Sequence, residues 1–209
     1  MPATIYLYRI THIDNLEYIL SNEILTAPTH PLVDPKYIGI GDTSLKGSRS
    51  HTPISLSPFG TFSDYLAFYF GKRSPMLYNI YHGFMGVTKR PQEEIIYLVS
   101  TFDELKKSKN PFVFFDGHGY ATFSCCYNSE SDLKNIDWNA VRAKDWFDTE
   151  SDPDRKRKKQ AEILIHQDYN IENLIGIGVF NESASRKVTA LLSKLGVTLK
   201  VKVALEWYY

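Results

Sequence analysis

Two long segments without regular periodicity set the strongest limit on how this 209-residue chain can fold. Residues 26–61 contain five prolines and four glycines, and residues 116–160 are polar and aromatic, with Trp138 and Trp146 among them. Structureless loops longer than about 15 residues are uncommon inside compact domains and are usually functional or disordered. Because residues 26–61 also carry Arg49 and His51, the functional interpretation is favoured.

The segments around these loops predict the short strands and helices of one α+β domain that covers residues 1–209. Apolar or alternating runs predict strands at 5–10, 95–99, 112–115, 161–166, 175–180 and 198–203. Capping residues and apolar spacing predict helices that begin near residues 13, 74, 101 and 183, and an aromatic helix at 62–70. Strands and helices do not alternate as in a doubly wound sheet, and no linker divides the chain.

Composition excludes several classes of protein. No apolar run approaches the roughly 18 residues that a membrane-spanning helix needs, and the N-terminus lacks the basic region of a secretory signal. The 24 basic and 24 acidic side chains cancel, which argues against non-specific coating of nucleic acid. Cys125 and Cys126 form neither a disulfide framework nor a zinc motif. We therefore expect a monomeric, cytoplasmic protein without a bound metal or a membrane anchor.

Charge is strongly patterned in one place despite the zero sum. Five acids occur between residues 145 and 154, and the five bases of residues 155–159 follow without a gap. One interpretation is a solvated helical face with acids at its N-terminal side. The other is a set of phosphate contacts for single-stranded nucleic acid, with the many aromatic residues as stacking faces.

Glu162 is the strongest candidate for chemistry, because it opens an otherwise apolar strand directly after the basic run. It is either an edge-strand glutamate paired with Lys159 or a partly buried carboxylate that stabilises a cationic transition state. His118 lies in an Asp-Gly-His-Gly sequence, but no ligand partners stand at metal-binding spacing. Arg9, on the first strand, is by itself compatible with an ordinary surface cation.

Several sequence blocks in a fixed order carry a resemblance to a known family. They lie at 8–16 (YRITHIDNL), 40–42 (IGD), 64–70 (DYLAFYF), 73–78 (RSPMLY), 112–118 (FVFFDGH), 136–138 (IDW), 152–155 (DPDR), 160–162 (QAE) and 207–209 (WYY). With these blocks the chain resembles the DarT DNA ADP-ribosyltransferase toxins, distant relatives of the poly-ADP-ribose polymerases and diphtheria-type toxins. It departs from the family pattern at Leu66-Ala67, where Val-Pro is common, and at Arg9, where many members have His.

The resemblance implies a split β-sandwich of two packed sheets, with flanking helices and long functional loops. It implies a toxin that transfers ADP-ribose from NAD, its co-substrate, to a base in single-stranded DNA, typically thymine, and releases nicotinamide. A DarG-type antitoxin with a macrodomain is the implied partner. Two other functions stay open: ADP-ribosylation of RNA or protein, and a catalytically silent single-stranded DNA-binding module.

The resemblance also implies roles for individual residues. Glu162 and Arg49 are the implied catalytic residues, a loop at about 33–51 covers NAD, and a substrate-recognition loop spans about 118–162. The implied NAD-binding residues are Arg9, Ile10, Thr11, Tyr18 and Arg49, and the expected DNA contacts are His118, Tyr120, Arg155 and Arg157. An arginine is normally locked in its protonated form, so Arg49 is expected to orient and polarise the substrates; its action as a literal base is the alternative.

Overall fold

The structure is a computed structural model that describes residues 1–42, 47 and 50–209. Its mixed α+β architecture confirms the predicted fold class. The strands are β1 (Tyr6–His12), β2 (Ile24–Thr26), β3 (Tyr65–Tyr69), β4 (Ile95–Thr101), β5 (Phe112–Phe115), β6 (Cys126–Tyr127), β7 (Glu162–His166), β8 (Asp168–Asn170), β9 (Gly176–Val179) and β10 (Val201–Val203). The helices are α1 (Leu16–Ser21), α2 (Pro75–His82), α3 (Phe102–Ser108), α4 (Trp138–Arg142), α5 (Arg155–Lys159) and α6 (Glu182–Leu195).

The main sheet has eight strands in the order β10-β9-β4-β1-β3-β7-β5-β6, and β2 pairs with β8 in a small second sheet. β1 pairs with β4 along its whole length, from Tyr6 to His12. With β3, in contrast, β1 shares the single register pair Tyr8↔Tyr69. The sheet therefore consists of two halves that meet at one point, and the strands diverge on either side of it.

Most predicted elements are present at their expected places. The helix that starts after Ser74 is α2, with Pro75 in its first turn and the Ser74 side chain accepting a hydrogen bond from the Leu77 N–H. The amphipathic helix α6 is capped by Asn181 and ends at Gly196, whose φ of +68° is a conformation that glycine adopts without strain. It buries Ala184, Val188 and Leu192 against the core.

The aromatic helix predicted at 62–70 is wrong. Thr61 and Asp64 form a capping box that closes one short 3-10 turn, and the chain then extends as β3. β3 pairs with β7 from Tyr65↔His166 to Tyr69↔Glu162. Aromatic side chains suit a pleated, buried surface as well as a helix, so pairing with a neighbour 97 residues away overrides the local pattern.

The segment at 207–209 packs into the fold beside α2, where the Tyr209 ring contacts Tyr78 at a centroid distance of 5.1 Å. Trp207 and Tyr208 are buried, and the Tyr209 hydroxyl donates to the Arg73 carbonyl at 2.7 Å. The same hydroxyl accepts a hydrogen bond from the Trp146 indole N–H at 2.7 Å. These contacts join α2, the second long loop and the end of the sequence.

Across residues 1–42, 47 and 50–209, no helix is both long and apolar enough to cross a membrane. The same residues contain no group of three or more His, Cys, Asp or Glu side chains arranged to hold a metal ion.

Candidate active site

A cavity of about 1260 Å³ lies where the two halves of the sheet diverge. Pockets for drug-sized ligands measure about 300–1,000 Å³, so this larger cavity suits a larger ligand such as a dinucleotide. Strand residues Arg9, Ile10, Ala67, Tyr69 and Glu162 line it from the sheet. Loop residues line it from the two long segments that the sequence marks as functional, among them Val33, Tyr37, His118 and Phe147, and Tyr18 lines it from α1.

Glu162 lies at the floor of this cavity and is almost completely buried, with 1% of its surface exposed. It is the first residue of β7, opposite Tyr69 on β3 and Phe115 on β5. Its Oε1 accepts a hydrogen bond from the Gly119 N–H at 2.9 Å. β7 is an interior strand, so the alternative of an edge-strand glutamate is wrong, and the strand order holds the carboxylate rigidly at the cavity.

Two glycines allow the loop after β5 to approach this carboxylate closely. A Cβ at Gly119 would lie 2.7 Å from Glu162 Oε1 and 3.0 Å from Phe62 Cε1. A Cβ at Gly117 would overlap Arg157 Nη1. Only glycine therefore lets the backbone pack this closely, against the Glu162 carboxylate at position 119 and against the Arg157 guanidinium at position 117.

Arg9 bridges the junction between the two halves of the sheet. Its Nη1 donates to the Ala67 carbonyl on β3 at 3.0 Å, and the residue lines the cavity together with Ile10. Thr11 is fully buried and accepts a hydrogen bond from Asn15 Nδ2 at 2.9 Å. Thr11 thus lies one layer behind the cavity, where it supports Asn15.

Asn15 and Tyr18 hold the first long loop over the cavity. Asn15 donates to the Ile38 carbonyl at 3.0 Å and accepts from the Ile38 N–H at 2.8 Å. The Tyr18 hydroxyl donates to the Leu32 carbonyl at 3.2 Å, and Tyr18 itself lines the cavity. Arg49, predicted to act at the reaction centre, lies outside the described residues.

The predicted DNA-contacting residues of the second loop differ in their surroundings. His118 lines the cavity, and its N–H donates to the Arg157 carbonyl at 3.0 Å. Tyr120 follows on the outer side of the same turn and is 42% exposed. Phe123, which the sequence analysis did not select, is 84% exposed on this turn.

The acidic and basic runs pair with each other. Asp152 binds Arg155 at 3.3 Å and Lys158 at 2.9 Å, and Asp154 binds Arg157 at 2.7 Å. Hydrogen bonds from these cations lower the pKa of both carboxyls. The basic run is therefore neither a plain solvated face nor a row of free cations, and among its five residues only Lys156 is exposed.

Lys159 is buried, and the prediction that it contacts a DNA phosphate is wrong. Its ammonium donates at 2.7 Å to each of the carbonyls of Val141 and Ala143, at the end of α4. Burial, together with the cations Arg73 and Lys72, lowers the pKa of Lys159 to about 8. The side chain thus joins α4 to the segment that leads into β7.

The sequence analysis missed an aromatic wall of the cavity. Its members are Tyr69, Tyr78, Phe84, Trp146 and Phe147, all of which line the cavity. Tyr78 contacts Trp146 edge-on at a ring-centroid distance of 5.4 Å, and Trp146 stacks on Phe147 at 4.4 Å. No sequence spacing joins residues 78 and 146, so only the tertiary contact reveals the wall.

Comparisons with known proteins agree over the full length of the chain. The family model described as "ssDNA thymidine ADP-ribosyltransferase, DarT" matches residues 8–209. A DNA ADP-ribosyl transferase of Escherichia coli O127:H6 is 35% identical over 209 residues, which cover 100% of this chain and 95% of the relative. The structure of Thermus sp. 2.9 DarT in complex with ADP-ribosylated ssDNA is 33% identical, with a TM-score of 0.92 and coverage of 100% and 98%. The Thermus sp. 2.9 DarT complex with NAD+ gives a TM-score of 0.87 at 32% identity, covering 100% of this chain and 99% of that one.

The fold, the buried cavity carboxylate and these similarities define a DNA-modifying ADP-ribosyltransferase. The chain belongs to the DarT family of single-stranded DNA thymidine ADP-ribosyltransferases. This confirms the predicted family and activity, and the prediction of NAD as co-substrate agrees with the NAD+ complex of the Thermus enzyme.

Proposed function

We propose that NAD binds in the 1260 Å³ cavity with the C1′ of its nicotinamide ribose beside Glu162, and that a thymine of single-stranded DNA reaches C1′ from the side of the 118–162 loop. The observation that carries this proposal is the position of Glu162. It is a buried carboxylate at the cavity floor, held by an interior strand and by the Gly119 N–H. Charge in such a site acts more strongly than in water.

The proposed reaction is a substitution at C1′. The bond from C1′ to the nicotinamide nitrogen breaks, and nicotinamide leaves with the bonding electron pair. Positive oxocarbenium character develops on the ribose, and the Glu162 carboxylate stabilises it. Thymine N3 donates its electron pair to C1′ and gives up its proton to solvent water, so a neutral base becomes a neutral ADP-ribosylated base and one proton is released with nicotinamide.

The proposed NAD contacts follow the cavity wall. Arg9 and Ile10 lie on it and are proposed to hold the nicotinamide end, with Thr11 supporting them from behind and Tyr18 lining the pocket. The loop at about 33–51 is proposed to cover NAD, because Asn15 anchors it to the cavity by two hydrogen bonds. Arg49 is proposed to orient the substrates and polarise thymine N3, because a guanidinium rarely gives up its proton.

The proposed DNA contacts lie at the outer end of the cavity. His118 lines the cavity, and Tyr120 offers an exposed ring for base stacking. Among the bases of α5, Lys156 is the best phosphate contact, since its side chain is exposed. Arg155 could reach a phosphate by exchanging its partner Asp152, whereas the tighter ion pairs of Arg157 oppose that role.

Further proposals concern the whole chain. The two halves of the sheet, joined at Tyr8↔Tyr69, support a split β-sandwich. A single domain spans residues 1–209, acts as a monomer in the cytoplasm, and is neutralised by a DarG-type antitoxin whose macrodomain removes ADP-ribose from DNA. These statements rest on the family resemblance.

Glu162→Gln tests the proposed chemistry, because it removes the charge and keeps the shape. We expect a loss of at least about 100-fold in the rate of base modification, with an unchanged thermal unfolding temperature. Glu172→Gln, at an exposed position outside the cavity, is the matched control. In the assay, each protein is incubated with labelled NAD and with separate pools of single-stranded DNA, RNA and protein. Retained activity of Glu162→Gln would overturn the proposal, and so would label that appears in RNA or protein alone.

A further inference from the structure

Arg157 is the most heavily bonded side chain of the basic run. Its Nε and Nη2 donate to the two carboxylate oxygens of Asp154 at 2.8 and 2.7 Å. Its Nη1 donates to Asp116 Oδ1 at 3.0 Å and to Ser124 Oγ at 3.1 Å. The side chain is only 15% exposed. A guanidinium with this set of partners is fixed in one orientation.

These bonds reach both ends of one loop, the turn at residues 116–124 between β5 and β6. Asp116 is its first residue, and Ser124 is its last and closes it by donating to the His118 carbonyl at 2.7 Å. The backbone of Arg157 adds a third contact, because its carbonyl accepts the His118 N–H at 3.0 Å. Gly117 packs so closely that a Cβ there would overlap the guanidinium.

The 116–124 turn carries the group that holds Glu162. Gly119 lies at its centre, and the Gly119 N–H is the donor to Glu162 Oε1 at 2.9 Å. His118, next to it, lines the cavity. A continuous set of hydrogen bonds thus leads from the Arg157 guanidinium through the 116–124 turn to the carboxylate at the cavity floor.

We propose that Arg157 is a positioning residue: it fixes the 116–124 turn so that the Gly119 N–H orients Glu162 and His118 faces the acceptor base. This inference rests on the proposed function of Glu162. Lysine cannot replace arginine here, because one ammonium cannot make a bidentate contact with Asp154 and also reach Asp116 and Ser124. The role differs from a phosphate contact, in which the guanidinium would bind DNA directly.

The two roles predict different kinetics. A positioning residue acts on the chemical step, so its loss lowers kcat and leaves the KM for DNA nearly unchanged. A phosphate contact acts on binding, so its loss raises the KM for DNA. It also flattens the dependence of binding on salt, by about 0.7 in the log–log slope for one phosphate of a single strand.

The experiment compares Arg157→Lys, Arg157→Gln and Asp116→Asn with the wild-type protein on one thymine-containing oligonucleotide. Arg90→Gln is the matched control, because Arg90 is also a partly buried, ion-paired arginine and does not line the cavity. We expect kcat to fall at least 10-fold in both Arg157 variants and less in Asp116→Asn. The KM for DNA and the salt slope should stay within a factor of two of the wild-type values, and Arg90→Gln should match the wild type.

A double variant separates positioning from a general loss of structure. Arg157→Lys and Gly119→Ala act on the same N–H in this proposal, so their effects on kcat should be clearly less than multiplicative. Three outcomes would each overturn the proposal: multiplicative effects, an unchanged kcat in a folded Arg157 variant, or a raised KM for DNA with a flatter salt slope.

If the Arg157 variants fail to fold, Asp116→Asn, which keeps the side-chain shape, decides through the same kcat and KM measurements. Failure of the proposed function is a separate result, because it would appear as inactivity or RNA or protein labelling by the wild type.

Discussion

Gly119→Ala is the smallest change that tests how Glu162 is held. The residue does not lie in the left-handed region of φ, so the substitution strains no backbone torsion and acts only through the added methyl group. That carbon would stand 2.7 Å from Glu162 Oε1, 3.0 Å from Phe62 Cε1 and 3.1 Å from Phe115 Cδ2. These three atoms belong to three different segments, so either the turn at 116–124 or the Glu162 side chain has to move.

The structure sets the size of the expected effect. The turn and the carboxylate must separate by at least a few tenths of an ångström to relieve the contact with Oε1, and this separation lengthens the 2.9 Å bond from the Gly119 N–H. A hydrogen bond to a charged group contributes about 1.5–3 kcal/mol. If the transition state loses that contribution, the rate falls about 10- to 150-fold at 1.36 kcal/mol per factor of ten. Overpacking should also destabilise the fold by about 1–3 kcal/mol.

Single-turnover kinetics measure this loss directly, with enzyme in excess over a labelled oligonucleotide and with saturating NAD. Gly176→Ala is the control for overpacking, because its Cβ would lie 2.8 Å from the Lys200 carbonyl, outside the cavity. It should lose stability and keep its rate below its unfolding temperature. A Gly119→Ala protein that stays folded and reacts within threefold of the wild-type rate would show that the Gly119 N–H does not position the Glu162 carboxylate for the reaction.

Three further predictions concern charge and substrate form. Relative to Lys159→Met, the wild-type free energy of unfolding should rise between pH 8 and 10.5, because the unfolded state then keeps a proton that folded Lys159 has lost. Denaturant titrations should show this free energy rising by up to about 1.4 kcal/mol per pH unit. A difference between the two proteins that does not depend on pH would refute this. Lys156→Gln should flatten the log–log salt slope of DNA binding by about 0.7, against no change in the control Lys187→Gln. Single-stranded oligonucleotides should react far faster than matched duplexes, because flipping a paired thymine costs a few kcal/mol, and equal rates would contradict this.

The sequence predicted the elements of the fold better than their arrangement. Periodicity and capping identify β1, β4, β5, β7, β9 and the helices α2 and α6, because each is decided by residues close together in the chain. β3 was mistaken for a helix, since its partner β7 lies about a hundred residues away. The divergence of β1 from β3 at Tyr8↔Tyr69, which creates the cavity, is likewise invisible in local sequence.

In the candidate site, too, features decided by neighbouring residues could be predicted from the sequence, whereas contacts between distant residues could not. Glu162 could be singled out because burying a carboxylate at the start of an apolar strand costs free energy, which makes a functional role the better explanation for its presence there. Its bond from Gly119, which lies 43 residues earlier, could not be foreseen from spacing. The aromatic wall of Tyr78 and Trp146 was missed for the same reason, because it forms only where α2 meets the second long loop.

The acidic and basic runs show how a charge pattern can mislead about function. Two of the pairs, Asp152 with Arg155 and Asp154 with Arg157, have the i,i+3 spacing that helical geometry makes favourable. That local rule alone would have weakened the prediction of a basic surface for DNA. The contact that gives Arg157 its proposed role is the one to Asp116, 41 residues away. It forms because the fold brings the loop after β5 into contact with α5. Arginine in a basic run therefore has to be judged by the carboxylates that the fold brings to it, and in this protein they direct Arg157 inward, toward the turn that holds Glu162.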